Sequence, residues 1–290
     1  MSNDTGTAAV PATNFTRDEL TALWNRAYEG YFVPIAFDRP RFDRHLRRGD
    51  VDLALSRVIA VDGVACGISL AGLRQDRAYL AGFGIASTHR RQGLARQLIE
   101  AQTAAFSAAR IDRAFLEVIE QNPARVLYRQ AGFEELRTLD VLEWAFEARA
   151  TGVGHTLASE ELTAVHAACS AVSRPTWRRE LSTVRDALTH EGAIALGVRR
   201  GAAVTGYAVM APAGDAQGTL FDAAAIDEAA AHDLLDALAA ARPGTRWRLV
   251  DEPARSPLSN AATARGASTV IRQIEMAWPL PSGNNASSLT

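Results

Sequence analysis

The most informative stretch of the sequence joins an apolar strand to an amphipathic helix through a basic turn. It reads Ile85-Ala86-Ser87-Thr88-His89-Arg90-Arg91-Gln92-Gly93-Leu94-Ala95. A helix N-terminus presents unpaired backbone N–H groups and about half a positive charge, so it binds phosphate wherever side chains leave room. The small residues Gly93 and Ala95 keep that approach open, and Arg90 and Arg91 add charge-assisted hydrogen bonds. The turn predicts a phosphate-binding site, and a solvated, arginine-rich helix start is the alternative.

Two amphipathic helices are predicted before this turn. The first opens at a capping box, Thr16-Arg17-Asp18-Glu19, and ends near Gly30. The second starts at Asp38-Arg39-Pro40 and ends near Gly49. An aromatic connector, which contains Tyr28, Tyr31 and Phe32, lies between them.

The hydrophobic period then changes from helix to strand. Leu55 to Val61 and Val64 to Leu73 flank the turn Asp62-Gly63, which predicts a β-hairpin. The elements predicted after it are a strand over Ala78–Ala86, a helix over Gln92–Ala109, a strand over Phe115–Ile119, a helix over Asn122–Ala131 and a strand over Glu134–Phe146.

The same order of elements begins again after residue 150, which indicates an internal repeat. The second set consists of helices over Ser159–Ala171 and Thr176–Leu188, hairpin strands over Ile194–Val198 and Val204–Met210, a strand over Thr219–Ala225, a helix over Asp227–Ala241, and strands over Trp247–Val250 and Thr269–Leu280. We expect two tandem domains, residues 1–150 and 151–290, of α+β (mixed α/β) type.

The composition excludes several classes of protein. All 31 residues counted as Lys or Arg are arginine, because the sequence contains no lysine. P-loop nucleotidases, pyridoxal-phosphate enzymes and protein kinases each need a lysine at their site. A net charge of −2 argues against a nucleic-acid binder or a polybasic membrane anchor. These classes are excluded, and the partner is expected to be small.

The composition also indicates a cytoplasmic protein. The only two cysteines, Cys66 and Cys169, form no C-x-x-C pair, which argues against a disulfide framework or a thiolate zinc site. No cluster with metal-ligand spacing is visible, so we expect no metal. Residues Met1 to Gly6 lack the features of a secretory leader. The sequence has no unbroken run of eighteen apolar residues, so no membrane span is predicted.

The basic turn and the residues after it resemble the GNAT superfamily of acyl-coenzyme A transferases. The pyrophosphate loop of that family has the form R/Q-x-x-G-x-G/A, which Arg90, Gly93 and Ala95 match. The family pattern continues in Leu116-Glu117-Val118, Asn122, Ala124, Leu127-Tyr128 and Gly132-Phe133. The resemblance covers residues 15 to 148 and implies a mixed, mostly antiparallel twisted sheet flanked by helices in each tandem domain.

The resemblance implies acetyl-coenzyme A as the acyl-donor substrate, with its pantetheine arm between the fourth and fifth strands. The implied donor-binding residues are Gly84, Ile85, Ala86, Arg90, Arg91, Gln92, Gly93, Leu94, Ala95, Asn122 and Tyr128. Six steps separate Asn122 from Tyr128, where the family has seven. Either the helix starts one residue late or Gln121 takes the place of the asparagine.

Amide-forming transfer from a thioester needs a neutral amine, a base for its proton and a donor for the leaving thiolate. The resemblance assigns the donor task to Tyr128, which can alternatively pack under the coenzyme without proton transfer. Glu117 is the first candidate for the base, because it is a carboxylate in an apolar strand where burial favours a raised pKa. A structural hydrogen-bond network is an equal alternative for Glu117, and Glu120 and water relays stay open.

By analogy with related folds, the connector lines the acceptor pocket through Tyr28, Glu29, Tyr31 and Phe32, although these aromatic residues can instead belong to the core. The expected acceptor is a small-molecule amine or a peptide N-terminus. The sequence therefore predicts an N-acetyltransferase, either a monomer with pseudo-dimeric domains or a homodimer.

The second domain keeps the order of elements but has acidic residues, Asp227 and Glu228, where the first has its phosphate loop. Superposing the two Pro-Ala-Arg segments places Leu258 opposite Tyr128. The second domain is therefore expected to be a degenerate copy. Two alternatives remain open: a non-catalytic acyl-coenzyme A sensor or scaffold, and a tandem acetyltransferase similar to mycothiol synthase.

Overall fold

The computed structural model describes residues 6–147, 153–212 and 217–278. The chain divides into unit 1, which comprises residues 1–136 and 276–290, and unit 2, which comprises residues 137–275. The domain boundary predicted at residue 150 lies outside the described residues, as does the predicted end of the last strand at Leu280. The division into residues 1–150 and 151–290 stays a prediction.

Unit 1 contains four helices and a mixed sheet within the described part of the chain. The helices are α1 (Arg17–Ala27), α2 (Arg39–Arg48), α3 (Leu94–Ala108) and α4 (Ala124–Gln130). The strands are β1 (Thr7–Pro11), β2 (Arg57–Val61), β3 (Val64–Arg74), β4 (Arg77–Ile85) and β5 (Arg113–Ile119), in the spatial order β1-β2-β3-β4-β5. Neighbouring strands are antiparallel except β4 and β5, which run parallel.

The first two helices start at the caps that the sequence indicates. The hydroxyl of Thr16 accepts a hydrogen bond from the N–H of Glu19 at 3.2 Å, and the Glu19 carboxylate accepts one from the N–H of Thr16 at 2.7 Å. The carboxylate of Asp38 accepts the N–H of Arg41 at 2.8 Å at the start of α2. β1 was not predicted, because this short, mostly exposed strand shows no alternation of apolar residues.

Helices cover both faces of the unit 1 sheet. α1 packs at two glycines of β4: a Cβ atom on Gly82 would lie 2.3 Å from the ring of Trp24, and one on Gly84 would lie 3.1 Å from the Cβ of Ala27. α3 packs on the opposite face, in a cluster formed by Ile59, Cys66, Ile85, Leu94 and Leu98. β4 is therefore fixed between two helical layers.

Unit 2 repeats this architecture. Its helices are α5 (Ser159–Val172), α6 (Leu181–His190), α7 (Glu228–Ala241) and α8 (Pro257–Ala264). The remaining strands are β6 (Glu134–Trp144), β7 (His155–Thr156), β8 (Ile194–Arg200), β9 (Ala203–Met210), β10 (Gln217–Ala225), β11 (Arg246–Pro253) and β12 (Ser268–Trp278). Their order is β12-β6-β11-β10-β9-β8-β7, and β6 and β12 each have residues in both units.

The two units share local features as well as the order of elements. In each unit, the strand that follows the β-hairpin has a bulge. The bulge lies at Ala81 in β4 and at Phe221 in β10. The short helix of each unit ends at a left-handed glycine, Gly132 with a φ of 92° and Gly266 with a φ of 93°. The predicted fold class, two mixed α and β copies with mostly antiparallel sheets, is confirmed.

One predicted helix, Thr176–Leu188, is broken in the structure. A 3-10 turn over Trp177–Arg179 comes first, Glu180 then has extended backbone, and α6 begins at Leu181. The break turns the side chain of Arg179 into the interior, where it is 5% exposed.

Candidate functional site

The candidate site is a cleft between β4 and β5. The two strands pair over three residues only, where residues 77–79 of β4 lie beside residues 113–115 of β5. Beyond this stretch β4 continues to Ile85 with its bulge, and β5 continues separately toward α4. The cleft opens at the carboxyl ends of two parallel strands, a common place for ligands in sheets with helices on both faces.

The loop after β4 ends at a helix N-terminus that has no side-chain cap. Gly93 is the N-cap of α3, with a φ of 79°, and no side chain accepts a hydrogen bond from the first turn, which also lacks acidic residues. A Cβ atom on Gly93 would meet nothing within 4 Å. The first N–H groups of a helix have no intrahelical partner, so those of Leu94 and Ala95 are left unpaired within α3. This geometry fits the phosphate site predicted here.

The side chain of Arg90 points away from this N-terminus. Its guanidinium donates to the carbonyls of Ile85 at 3.0 Å, Ala27 at 3.0 Å and Glu29 at 2.8 Å. The guanidinium therefore ties the end of α1 to the end of β4. Arg91, a left-handed residue with a φ of 63°, and Gln92 are both exposed beside it.

Some backbone N–H groups at the end of β4, where the pantetheine arm is expected, already donate hydrogen bonds within the protein. The N–H of Ala86 donates to the carbonyl of Cys66 at 2.8 Å. The N–H of Phe83 donates to the phenol oxygen of Tyr28 at 3.1 Å. Gly84 and Ile85 pair with β3 through Ile68 and Gly67, so their other edge is the one directed toward the cleft.

Asn122 caps the helix that carries Tyr128. Its side-chain oxygen accepts the N–H of Ala124 at 2.9 Å, which is an Asx turn that starts α4. Its side-chain nitrogen lies 3.5 Å from the phenol oxygen of Tyr31. Gln121 is exposed. Asn122 thus lies in the turn that leads into α4, and the explanation of the shortened spacing stays a prediction.

Tyr128 lies in α4 at the edge of the cleft and is 6% exposed. Its ring makes edge contacts with Phe83 at 5.8 Å and Phe133 at 6.0 Å between centroids. Burial raises the pKa of Tyr128 well above its usual value, and the phenols of Tyr28 and Tyr31 raise it further. The phenol therefore keeps its proton and can act as a hydrogen-bond donor.

Glu117 lies on β5 and is half-buried. The phenol of Tyr79 donates a hydrogen bond to its Oε2 atom at 2.5 Å. Tyr79 is opposite Phe115 in the parallel pair, two residues before Glu117, so the two side chains are on one face of the sheet. A carboxylate held by a phenol in this way fits both a base and a structural network.

The connector side chains lie beside the cleft. Tyr28 packs on Tyr31 with ring centroids 5.2 Å apart, and Tyr31 packs on Phe32 at 5.3 Å. The carboxylate of Glu29 accepts a hydrogen bond from the Ser87 hydroxyl at 2.6 Å. Phe32 is 50% exposed, which is unusual for a core phenylalanine and suits a pocket lining.

Residues 56–143, which include β4, the basic loop, α3, β5 and α4, match the family model for the acetyltransferase (GNAT) domain. The chain carries a GNAT domain. No curated protein is a significant sequence match.

Solved structures extend the likeness to the whole chain. A GCN5-related N-acetyltransferase from Sphaerobacter thermophilus has a TM-score of 0.66 at 13% identity, with 97% of this chain and 98% of that chain covered. A tandem GNAT protein from the clavulanic acid biosynthesis pathway has 0.63 at 14%, with 97% and 100% covered. A GCN5-related N-acetyltransferase from Anabaena variabilis ATCC 29413 has 0.64 at 14%, with 94% and 72% covered. At these identities the likeness concerns the fold, a tandem GNAT fold.

The second GNAT-like copy has a different loop and short helix. The Asp227 carboxylate caps α7 by accepting the N–H of Ala230 at 2.8 Å, and it also pairs with Arg200. The N–H of Ala267 donates to the carbonyl of Ala262, as the N–H of Phe133 does to that of Tyr128. The counterpart of Tyr128 is therefore Ala262, and the sequence-based choice of Leu258 was wrong.

Two residues with distant carboxylate partners were missed from sequence, Tyr79 and Arg179. Neither lies in a recognisable motif, and their partners are 38 and 43 or more residues away. In the parts of the chain that the structure describes, no group of three His, Cys, Asp or Glu side chains is placed to hold a metal. No helix there is long and apolar enough to cross a bilayer.

Proposed function

We propose that unit 1 is an N-acyltransferase that moves an acetyl group from acetyl-coenzyme A to a primary amine. The observation that carries the proposal is the cleft between β4 and β5, which opens at the uncapped N-terminus of α3 and is bordered by the phenol of Tyr128. Its parts serve the pyrophosphate, the pantetheine arm and the thioester of one donor. The GNAT match over residues 56–143 supports it.

The donor-binding residues divide by what they offer. The N–H groups of Gly93, Leu94 and Ala95 bind pyrophosphate through the helix N-terminus, and Arg91 and Gln92 add side-chain donors from the exposed loop. Gly84, Ile85, Ala86, Asn122 and Tyr128 border the pantetheine arm. Arg90 shapes this site through the backbone, because its guanidinium is bound to three carbonyls.

Bound acetyl-coenzyme A supplies an acyl carbon activated as a thioester. The amine nitrogen forms a bond to that carbon, the carbon–sulfur bond breaks, and the nitrogen loses one proton. Glu117, held by Tyr79, accepts this proton directly or through water. Burial raises the pKa of Tyr128, so the phenol is protonated before the reaction. It gives this proton to the thiolate as the carbon–sulfur bond breaks.

The acceptor is a small-molecule amine or a peptide N-terminus that enters beside Tyr28, Glu29, Tyr31 and Phe32. An exposed aromatic edge and a carboxylate are suited to an amine with an apolar portion. The protein acts in the cytoplasm as a single chain or a homodimer, with no nucleic acid, membrane or metal partner.

Two other functions make different demands on the same residues. A non-catalytic acyl-coenzyme A sensor requires the loop but neither Tyr128 nor Glu117. A tandem enzyme similar to mycothiol synthase would have its working site in the second copy, where Asp227 already caps the helix. Both are less well supported than transfer in unit 1.

Titration calorimetry of the full chain with acetyl-coenzyme A tests the proposal. We expect one site per chain and no binding heat in Gly93→Glu up to millimolar donor, because the new carboxylate meets the pyrophosphate and fills its space. Gly63→Glu is the matched control, since Gly63 has the same φ of 79° and equally open surroundings in a hairpin turn. Equal losses in both variants, or unchanged binding in Gly93→Glu, would contradict the proposal.

A further inference from the structure

An arginine side chain bridges the cleft of unit 2. β10 and β11 pair in parallel over residues 217–220 and 246–249 and then diverge, as β4 and β5 do in unit 1. The buried guanidinium of Arg179 donates to the carbonyl of Ala223 on β10 at 2.6 Å and to that of Asp251 on β11 at 3.1 Å. One side chain therefore bridges the two diverging strands.

Two buried carboxylates pair with this charge. The Nε atom of Arg179 donates to Asp222 at 2.6 Å, and one terminal nitrogen donates to Glu252. The phenol of Tyr207 donates to Asp222, and the hydroxyl of Ser256 donates to Glu252. Each carboxylate thus has the guanidinium and a hydroxyl as partners, which is the condition under which buried charges are tolerated.

The bulges show which residues of the two clefts correspond. Counting from the bulges at Ala81 and Phe221, Asp222 takes the place of Gly82, and Ala223 takes the place of Phe83. In unit 1 this stretch of β4 leads into the segment proposed to pair with the pantetheine arm. In unit 2 the same stretch is bound by Arg179.

The local backbone brings Arg179 to this position. The extended conformation of Glu180 separates the 3-10 turn from α6, and the carbonyl of Arg179 lies 3.1 Å from the Nε2 atom of His166. A continuous helix would rotate residue 179 with its neighbours along the surface. The turn instead directs one residue between β10 and β11.

We infer that Arg179 is the internal occupant of the second coenzyme cleft, so that unit 2 binds no acyl-coenzyme A. This inference goes beyond the proposed function, because it concerns unit 2 alone. It holds whether or not unit 1 transfers an acetyl group.

The first test is the stability of Arg179→Met in urea. The variant leaves Asp222 and Glu252 buried without their counter-charge, so the unfolding midpoint should fall by at least roughly 1 M near pH 7. Arg200→Met is the matched control, because Arg200 pairs with Asp227 at the exposed surface and should change the midpoint little. A midpoint for Arg179→Met equal to that of the control would overturn the inference.

The pH dependence of this loss adds a second readout. Carboxyl groups buried without a cation have raised pKa values, so the deficit should shrink as the pH falls from about 7 to about 5 and they take up protons. The titratable and charged groups that face the guanidinium are His166, Cys169, Tyr207, Asp222, Asp251 and Glu252, with Arg178 paired to Asp251. Burial raises the pKa of Cys169 to about 12 and that of Tyr207 well above its usual value, so neither contributes in this range.

His166 also faces this cluster, with its Nε2 atom 3.9 Å from a carboxylate oxygen of Asp222. The variant Arg179→Met/Asp222→Asn/Glu252→Gln removes the carboxylates and keeps His166. It should recover at least half of the lost midpoint and show a smaller dependence on pH than Arg179→Met. If Arg179→Met does not fold, the uncharged variant should still fold, and its failure to fold would overturn the inference.

Calorimetry with acetyl-coenzyme A completes the test. The Gly93→Glu chain, whose unit 2 is intact, should give no binding heat up to millimolar donor. A remaining site in that chain would show that the second cleft is open. Absence of binding in the wild-type chain would count against the function proposed for unit 1 and leave the inference on Arg179 standing.

Discussion

The phenol of Tyr79 donates a hydrogen bond to the carboxylate of Glu117 at 2.5 Å, and both lie on the strands that border the unit 1 cleft. A hydrogen bond to a carboxylate favours its charged form. If Glu117 is the base, Tyr79 keeps it deprotonated and holds it in place. Tyr79 would then be a positioning residue for the reaction.

Substitutions at this pair separate the base from a structural network. Glu117→Gln should lower kcat by about 10² to 10⁴, the usual contribution of a general base. Tyr79→Phe should move the acidic limb of the kcat/KM profile to higher pH, because the carboxylate loses a donor and takes up its proton sooner. Rate profiles against pH check both. A profile that keeps its limb in Tyr79→Phe, with only stability reduced, would favour the network.

Tyr128→Phe tests the proton donor. It should lower kcat by roughly 10 to 10⁴ and leave the affinity for acetyl-coenzyme A within a few-fold, because only the transition-state interaction is lost. Tyr128→Ala should also lower stability by about 3 to 5 kcal/mol through the cavity it opens. An unchanged kcat in Tyr128→Phe with a good acceptor would make solvent the proton source.

The pH range of the reaction follows from the same phenol. Because the pKa of Tyr128 lies well above its usual value, the residue stays protonated through pH 10. The kcat at saturating substrates should therefore show no loss from Tyr128 as the pH rises to 10. The control is Tyr128→Phe, whose relative activity against the wild type should stay constant over the same range; a ratio that rises toward one near pH 10 would show early ionisation.

The capping residues and the loop motif could be predicted from sequence because they act over a few residues. The capping box of Thr16 and the cap at Asp38 each involve neighbours within four positions. The partners of Arg90, by contrast, are carbonyls more than 60 residues away. The sequence assigned that guanidinium to phosphate because the spacing of a motif carries no information on where a long side chain turns.

Arg179 shows the same limit more strongly. The helical periodicity of this segment predicts a continuous helix from Thr176 to Leu188, whereas the structure breaks at Glu180 and pairs Arg179 with the buried Asp222 and Glu252. Local propensity is a weak indicator where tertiary contacts involve charges. Asp227, by contrast, acts on near neighbours at the start of α7. From this residue the sequence predicts that the second copy has lost the phosphate site.

The different roles of Arg90 and Arg91 can be separated by parallel substitutions to glutamine. Arg91→Gln should weaken acetyl-coenzyme A binding roughly tenfold, because it removes a charge-assisted donor to phosphate. Arg90→Gln should leave binding within about threefold, since a charge directed away from the phosphate is largely screened. It should instead speed hydrogen exchange in residues 28–37, the connector that Arg90 ties to β4. The reverse pattern would return Arg90 to the phosphate site.

The most direct test of transfer in unit 1 is the release of coenzyme A thiol from acetyl-coenzyme A in the presence of a panel of primary amines and peptide N-termini. The account predicts release that depends on at least one acceptor in the wild-type chain, that persists in Gly63→Glu, and that is lost in Gly93→Glu. Tight binding of acetyl-coenzyme A with no acceptor-dependent release across the panel would contradict it and make the chain an acyl-coenzyme A sensor.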